Sequence, residues 1–492
     1  MHFGRWRIKP SGKLPIFLRF MINSGFVPEI VNKFDIKTPL QNRIYINHMM
    51  YWEKSEYDAF ENEVVGHLSA DDGWFEKYCT GELKKSEHLY NKGLEFKKID
   101  WTQKTNEEMA QLLEILLQEY RELAGPWYVQ YPSDEYFETT IEKKLLEYIK
   151  ADDHDYRKYV LTFTDPKEMT EVSEERWKLV IMAKEFFAQG ENLDNLSPGA
   201  RQKLAAHLDK FAYINRGLAT SQAYTYEDMI GRLKEMQTQV SEGKSMDDLI
   251  YDASEKKVDD EYKWALEKIK PKADFQHVID LAKLHSYVRN RRVEAFFNAD
   301  YGASFMYAEI ARRAHFNPDW IMEISIPEMF GALKGEKLPD DAEMKRRLED
   351  YAMVVKNGVT NLITDQTKVK ELEKEYSVEN KEVTTIKGNV ACIGGIITGR
   401  AKICLDKKEI GKVERGDILV AQFTTPDFVP AMERAAAIVA DQGGLSSHAA
   451  IVSRELGVPC VIATMNGTRL IHDGDLLEVD AKSGIVKILE RA

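Results

Sequence analysis

The sequence predicts a multidomain protein: a mainly α-helical N-terminal region, then a compact α/β C-terminal domain. Three observations predict it. The chain has 492 residues, enough for two to four domains of ordinary size. From about residue 40 to 370, apolar residues recur every three or four positions among dense charges and few glycines, as in amphipathic helices. After Gly388, glycines multiply and apolar runs become short and β-branched, the texture of strands alternating with helices.

Bulk properties narrow the function. With 43% hydrophobic and 30% charged residues, the chain has the make-up of a globular protein with sizeable cores. A formal net charge of -13 argues against a general binder of nucleic acid or anionic membrane. Cys79, Cys392, Cys404 and Cys460 are far apart with no C-x-x-C pair, so neither a disulfide framework nor a zinc site is expected. No metal is assigned to the chain, and a cytoplasmic location fits. The apolar run from Leu14 to Ile22 is interrupted by Arg19 and is too short to span a bilayer. Arg5, Arg7, Lys9 and Lys13 make this start basic without a cleavage signal, so it reads as part of the fold, with a peripheral contact as the lesser alternative.

The first helical runs are Met109–Leu112–Leu113–Ile115–Leu116–Tyr120, then Phe137–Ile141–Leu145–Ile149 with Ser133 and Asp134 as possible caps. Trp177, Val180, Ile181, Lys184 and Phe187 fit a third. Leu204, Leu208, Phe211 and Ile214 fit a fourth. Loops are marked at 196–199, 241–243 and 334–341. No repeat of fixed period and no low-complexity tract is present. Trp52, Trp74, Trp101 and Trp127 read as core aromatics; the alternative is an aromatic-lined acceptor pocket.

A helix over about 274–299 carries more information. Its apolar stripe runs Val278, Leu281, Ala282, Val288, Phe296, and His285, Arg289 and Arg292 project onto the same face. Lys283 and Arg291 point away, as surface charges. Inward arginines need anionic partners. Those partners are either carboxylates of neighbouring helices or a phosphate or anionic acceptor in a cavity, which guanidinium suits geometrically.

Residues 373–387 are polar and without helical period, and read as an interdomain linker that could reach on the order of 50 Å when extended. Beyond it, strands are predicted at 396–405, 417–421, 435–440, 460–463, 476–479 and 485–489, with helices at 426–434 and 446–456. The last two strands flank a turn ending at Gly484.

The stretch Asp441-Gln-Gly-Gly-Leu-Ser-Ser-His448 places an imidazole in the first turn of a helix that closes at Gly457 and Pro459. A phosphoryl carrier built on histidine needs a neutral ring nitrogen and donors for the phosphoryl oxygens. A helix N-terminus disfavours imidazolium and favours phosphate. Gly443 and Gly444 permit close approach of another site, and Ser446 and Ser447 can cap the helix or bind phosphate. His448 is therefore the candidate carrier.

Residues 388–492 resemble the swivelling phosphohistidine domain of the PEP-utilising enzymes, a family that includes PEP synthase, pyruvate phosphate dikinase and rifampin phosphotransferase. The resemblance is carried by Gly388-Asn-Val-Ala-Cys-Ile-Gly-Gly-Ile-Ile-Thr-Gly399, by Gly416-Asp-Ile-Leu-Val-Ala-Gln-Phe-Thr-Thr-Pro-Asp427, and by Gly-Gly-Leu-Ser-Ser-His-Ala-Ala-Ile-Val-Ser-Arg-Glu-Leu-Gly-Val-Pro ending at Pro459. It implies that His448 is phosphorylated and that Thr425 lies on a loop near it. Ala440 stands where many members have Thr. Residues 200–370 are similar to the helical region before this domain in the same family, through His207 to Ile214, the Arg289 helix and Pro318 to Phe330; Asn290 departs from the Arg-Glu that members often show.

No Gly-rich, Lys- and Arg-bearing ATP-grasp half is recognisable, and no PEP/pyruvate TIM barrel is expected, since the chain ends just after the swivelling domain and eight βα units need about 250 residues. The expectation is one phosphohistidine subunit of a two-chain, ATP-dependent, dikinase-type phosphotransferase, similar to that of phenylphosphate synthase. ATP and Mg²⁺ would sit on a separate ATP-grasp subunit. The expected layout is a helical region 1–199 of unassigned role, an acceptor-binding region 200–372, the linker, and the carrier domain 388–492. Arg289, Arg292 and His285 would receive the phosphoryl group and a small acceptor. The rival readings are a regulatory scaffold with a phosphorylatable histidine, and a self-contained kinase with an unrecognised nucleotide site in 1–199.

Overall fold

The computed structural model describes residues 6–10, 15–24, 32–46, 49–150, 153, 155–166, 168–216, 222–376, 384–405, 409–425, 428–444 and 447–492. It has a helical body and a C-terminal α/β domain.

Two long helices, Trp74–Lys97 and Ala273–Arg313, form the spine of the body. The second has 41 residues and spans about 60 Å. The helices touch backbone to backbone where Gly93 meets Gly302. A Cβ on Gly302 would lie 2.1 Å from the Gly93 carbonyl oxygen, so any side chain there would force the helices apart.

The predicted helical runs lie in Asn106–Ala124, Gln130–Leu145, Glu171–Ala188 and Pro198–Phe211, except that Ile149 falls beyond the second and Ile214 sits in a separate short helix, Tyr213–Arg216. Thr105 and Glu108 make a capping box for the first, and Ser197 caps the last. Ser133 and Asp134 are not caps: both sit inside Gln130–Leu145. The long helix also exceeds its expected span and is packed on more than one face. Lys283, expected at the surface, is buried. Its ammonium donates to the Asp165 carbonyl at 2.9 Å and lies 4.4 Å from the centre of the Tyr262 ring. Arg291 is half-buried and paired with Glu294 at 2.7 Å and Glu171 at 3.2 Å. A single-stripe projection fails for a helix surrounded by neighbours.

The body also contains a sheet that the helical reading did not anticipate. Strands β1 (Trp6–Pro10), β2 (Arg43–Ile46), β3 (Met49–Glu53), β4 (Ala352–Lys356) and β5 (Val359–Ile363) pair antiparallel in the order β1-β3-β2-β4-β5. The Asn357–Gly358 pair, both at positive φ, turns β4 into β5, a local hairpin signal. Pairing of β2 with β4 ties residues before 199 to residues after 200 in one structure.

In the C-terminal domain, β6 (Thr385–Lys387), β7 (Asn389–Cys392), β8 (Ile396–Cys404), β9 (Ile418–Ala421), β10 (Ala437–Ala440), β11 (Cys460–Ile462), β12 (Leu476–Asp480) and β13 (Ile485–Glu490) run in the order β6-β13-β12-β8-β9-β10-β11-β7. Strands β8 to β11 are parallel, and the flanking pairs are antiparallel. Consecutive strands β6 and β7 occupy opposite ends of that order, so the sheet rolls back on itself. Ile418, Val420, Val439, Val461, Leu477 and Val486 fill its interior. All six predicted strands and both predicted helices, Val429–Arg434 and His448–Leu456, are present. Strand β6 lies within the segment expected as linker; of the rest, 373–376 end the helix Gln366–Tyr376 and 377–383 lie outside the described residues.

Among the described residues, no helix is long and apolar enough to cross a membrane. The four cysteines are buried and unbridged.

Candidate functional site

The site begins where β10 ends. Asp441 is buried and turned into its own domain, where its carboxylate accepts from Thr464 Oγ1 at 2.8 Å and from the Thr468 amide at 3.2 Å. Gly443 follows at φ +122, and a Cβ there would fall 2.5 Å from Ser447 Oγ. Both facts demand glycine. The space it leaves lets Ser447 act as the N-cap of His448–Leu456, accepting from the Ala450 amide at 3.3 Å. The helix closes at Gly457 in the left-handed region, with the Val458 amide donating to the Ser453 carbonyl at 2.9 Å, a Schellman-type end.

His448 is the first residue of that helix. Its Nδ1 lies 2.8 Å from Thr424 Oγ1, and its Nε2 is buried with no hydrogen-bond partner. Burial lowers the imidazole pKa to about 4, so the ring is neutral near pH 7. When Nδ1–H donates to Thr424, the lone pair resides on Nε2. Thr424 is a residue that sequence reasoning missed by one position. Thr425, expected on a loop near His448, follows Thr424 in that loop and accepts from the Phe428 amide through its carbonyl at 2.9 Å. Ser446 lies outside the described residues.

Facing His448 is a cavity of about 580 Å³ between the two domains. The carrier side contributes Thr424, Gly443, Gly444, Ser447 and His448; the body contributes Trp127, Tyr131, Asp134, Glu138 and Arg289. Asp134 organises the body side. Its Oδ1 is 2.8 Å from His285 Nε2, and its Oδ2 accepts from Arg289 at 3.2 Å. Burial pushes the Asp134 carboxyl up, but Arg289 and His285 outweigh it and hold it below its ordinary value. Gly444 docks here: a Cβ on it would be 3.4 Å from Asp134 Oδ2 and 3.7 Å from the Arg289 guanidinium.

The three basic residues of the predicted stripe thus part company. Arg289 lines the cavity with His448. His285 sits behind it, packed against Phe75 and Phe137. Arg292 lies in the core at 1% exposure, paired at 2.9 Å with Glu82 at 0%, and also donates to Gln130. Both arginines have carboxylate partners from neighbouring helices. Asp134 carried no catalytic reading in the sequence, because nothing local says which residue faces a domain folded from the other end of the chain.

Two further contacts seat the carrier domain. Arg157 donates from Nε to the Val390 carbonyl at 2.9 Å while pairing with Glu142 at 2.7 Å and Glu138 at 3.2 Å. Arg454 forms an ion pair with Asp165. A second cavity, of about 530 Å³, also reaches His448. Its walls include Arg176, Arg232, Glu235 and Glu433. Arg232 is fixed by Glu175 at 2.6 Å, and Glu175 also meets His207 at 2.9 Å.

Comparison with known proteins agrees with this architecture. Residues 413–484 match the family model described as "PEP-utilising enzyme, mobile domain". The chain is 50% identical over 125 residues to a probable phosphoenolpyruvate synthase of Archaeoglobus fulgidus, covering 25% of this chain and 16% of that protein. It is 34% identical over 211 residues to the phosphoenolpyruvate synthase of Pyrococcus furiosus, covering 40% of this chain and 25% of that protein. The matches thus span a quarter or less of these relatives' length. A solved structure of Enzyme I (nEIt) aligns over 72% of this chain and 80% of that chain at 14% identity, with a TM-score of 0.16, a likeness too slight to bear on the fold. The helix that begins at His448 lies inside the matched stretch. The chain carries the mobile domain of the PEP-utilising enzymes.

Proposed function

We propose that this chain is the phosphohistidine-carrying subunit of a two-chain, ATP-dependent phosphotransferase of the dikinase type. His448 Nε2 attacks the donor phosphorus, and the donor's P–O bond breaks. The carrier domain then returns to the helical body, and an acceptor oxygen takes the phosphoryl group as the Nε2–P bond breaks. The observation that supports this best is a neutral, buried imidazole at a capped helix N-terminus. One of its nitrogens is tied to Thr424, the other is unpartnered, and the ring borders an interdomain cavity.

The helix N-terminus favours the negative phosphoryl group, and Arg289 lies across the cavity to meet charge developing on it. Arg292, held in the core, supports the helix that carries Arg289. ATP and Mg²⁺ belong to a separate ATP-grasp subunit in this reading.

The test uses ATP labelled at the β-phosphate, with and without a candidate ATP-grasp partner. Acid-labile, base-stable label appears on this chain only with the partner and is lost in His448→Ala. Labelling undiminished by that substitution sinks the carrier reading. Tight ATP binding by the isolated chain, measured by calorimetry, sinks the two-chain reading.

A further inference from the structure

We propose that the acceptor is a hydroxyl compound without an anionic group, and that Asp134 takes its proton as the phosphoryl group is transferred. The inference rests on His448 being the carrier and adds the chemical class of what receives the group.

The body side of the cavity is acidic. Asp134, Glu135, Glu138 and Glu142 all line it from the one helix Gln130–Leu145. Arg289 is the only cationic side chain among its described lining residues, and it already pairs with Asp134. Arg157, just outside, is taken up by Glu138, Glu142 and the Val390 carbonyl. A carboxylate-bearing acceptor would therefore be desolvated against like charges with no uncommitted cation to receive it. The remaining lining is suited to an uncharged body: Trp127, Tyr131 and Phe423 are half-buried aromatic residues on the cavity wall.

Asp134 is the carboxylate placed for proton transfer. His285 holds Oδ1 at 2.8 Å, so the group is fixed in direction, and Oδ2 is the oxygen beside Gly444 in the carrier's docking turn. Transfer through a loose transition state needs a positioned acceptor for the proton more than a strong base. The acceptor oxygen bonds to phosphorus. The Nε2–P bond breaks, with its electron pair returning to Nε2. The hydroxyl proton passes to Asp134 Oδ2 and leaves to water with the product.

The test loads the full-length chain with phosphoramidate, which needs no partner subunit, and follows phosphohistidine loss and ester formation by ³¹P NMR. Matched acceptors differ only in charge: phenol, 4-hydroxybenzoate and tyramine; glycerol and glycerate. Transfer is read per loaded chain. Uncharged and cationic acceptors are expected to outpace their anionic counterparts at least about 10-fold. Asp134→Asn is expected to slow transfer on the order of 100-fold. It should also convert a pH-independent rate into one rising with hydroxide, a change that loss of packing alone does not produce. A preference for the anionic counterparts, no transfer to either uncharged compound, or a folded Asp134→Asn with unchanged rate and pH profile overturns the inference while leaving the carrier intact. The charge preference of the unsubstituted chain decides the matter even if that variant does not fold. Loading undiminished in His448→Ala removes the carrier reading and this inference together.

Discussion

Thr424 Oγ1 and His448 Nδ1 lie 2.8 Å apart, so the His448 ring is aimed by a side chain from a different loop of the same domain. The bond selects one ring nitrogen for chemistry. Thr424→Val should cost about 0.5–1.5 kcal/mol of that preference, slowing loading roughly 2- to 13-fold and letting phosphate appear on Nδ1 as well. Thr424→Ser should restore both. The check is the ³¹P spectrum of phosphoramidate-loaded variants, in which the two phosphoramidate isomers are distinct.

Loading should be insensitive to pH where an ordinary histidine would fail. Burial brings the His448 pKa to about 4, against about 6.5 in an unfolded chain. The neutral, nucleophilic form therefore persists down to about pH 5. For stability the sign is unfavourable to acid. The unfolded chain takes up the proton first, so this residue's contribution is complete above about pH 6.5, declines as pH falls toward 4, and is constant below. A ring-proton NMR titration should give a midpoint near 4, and a loading rate flat from pH 8 to about 5.

Arg292 should behave as a structural residue. Its guanidinium and the Glu82 carboxylate are both in the core, so Arg292→Met leaves a buried carboxylate without its cation. The expected loss is about 3–5 kcal/mol in chemical denaturation, and pairing it with Glu82→Leu should recover most of it. Loading of His448 at a temperature where the variant is folded should stay close to that of the parent chain.

The seating of the carrier domain should weaken with alkali. Burial, then the hydrogen bond and charge of Glu235 on the body, push the Glu433 carboxyl up to about 8, with Arg176 and Arg232 pulling the other way. In the undocked domain the same group ionises near 4.3. The docked state thus holds a proton that the free state has lost, and docking declines as pH rises from about 4.3 to 8. Interdomain energy transfer between dyes on the two domains should fall over that range, and Glu433→Gln should flatten the profile.

How far the sequence reveals this molecule differs between its halves. In the C-terminal domain the strands are β-branched runs separated by glycines, and each could be placed within a few residues because the pattern is local. The body sheet was hidden for the opposite reason. Its strands are four or five residues long, and β2 finds β4 only through tertiary pairing; Asn357–Gly358 was the one local clue. At the site, His448, Gly443 and Ser447 were readable from their spacing. Asp134 looked like a helix cap, and Thr424 stood beside the residue singled out. What faces an imidazole across a domain boundary is set by packing, and no periodicity encodes it.

The sheet of the body has a consequence for how the protein is made. The Asn357 amide donates to Asn42 Oδ1 at 3.1 Å across 315 positions, and β4 completes the sheet beside β2. A ribosome making this chain delivers β1, β2 and β3 early, and they must wait with an open edge until almost the whole body has emerged. Contacts so distant in sequence are slow to form, and an unpaired edge is a template for the wrong partner. The carrier domain closes within its own hundred or so residues and faces no such delay. That domain needs no strand from the body, whereas the free edge of β2 stays open until β4 has been made.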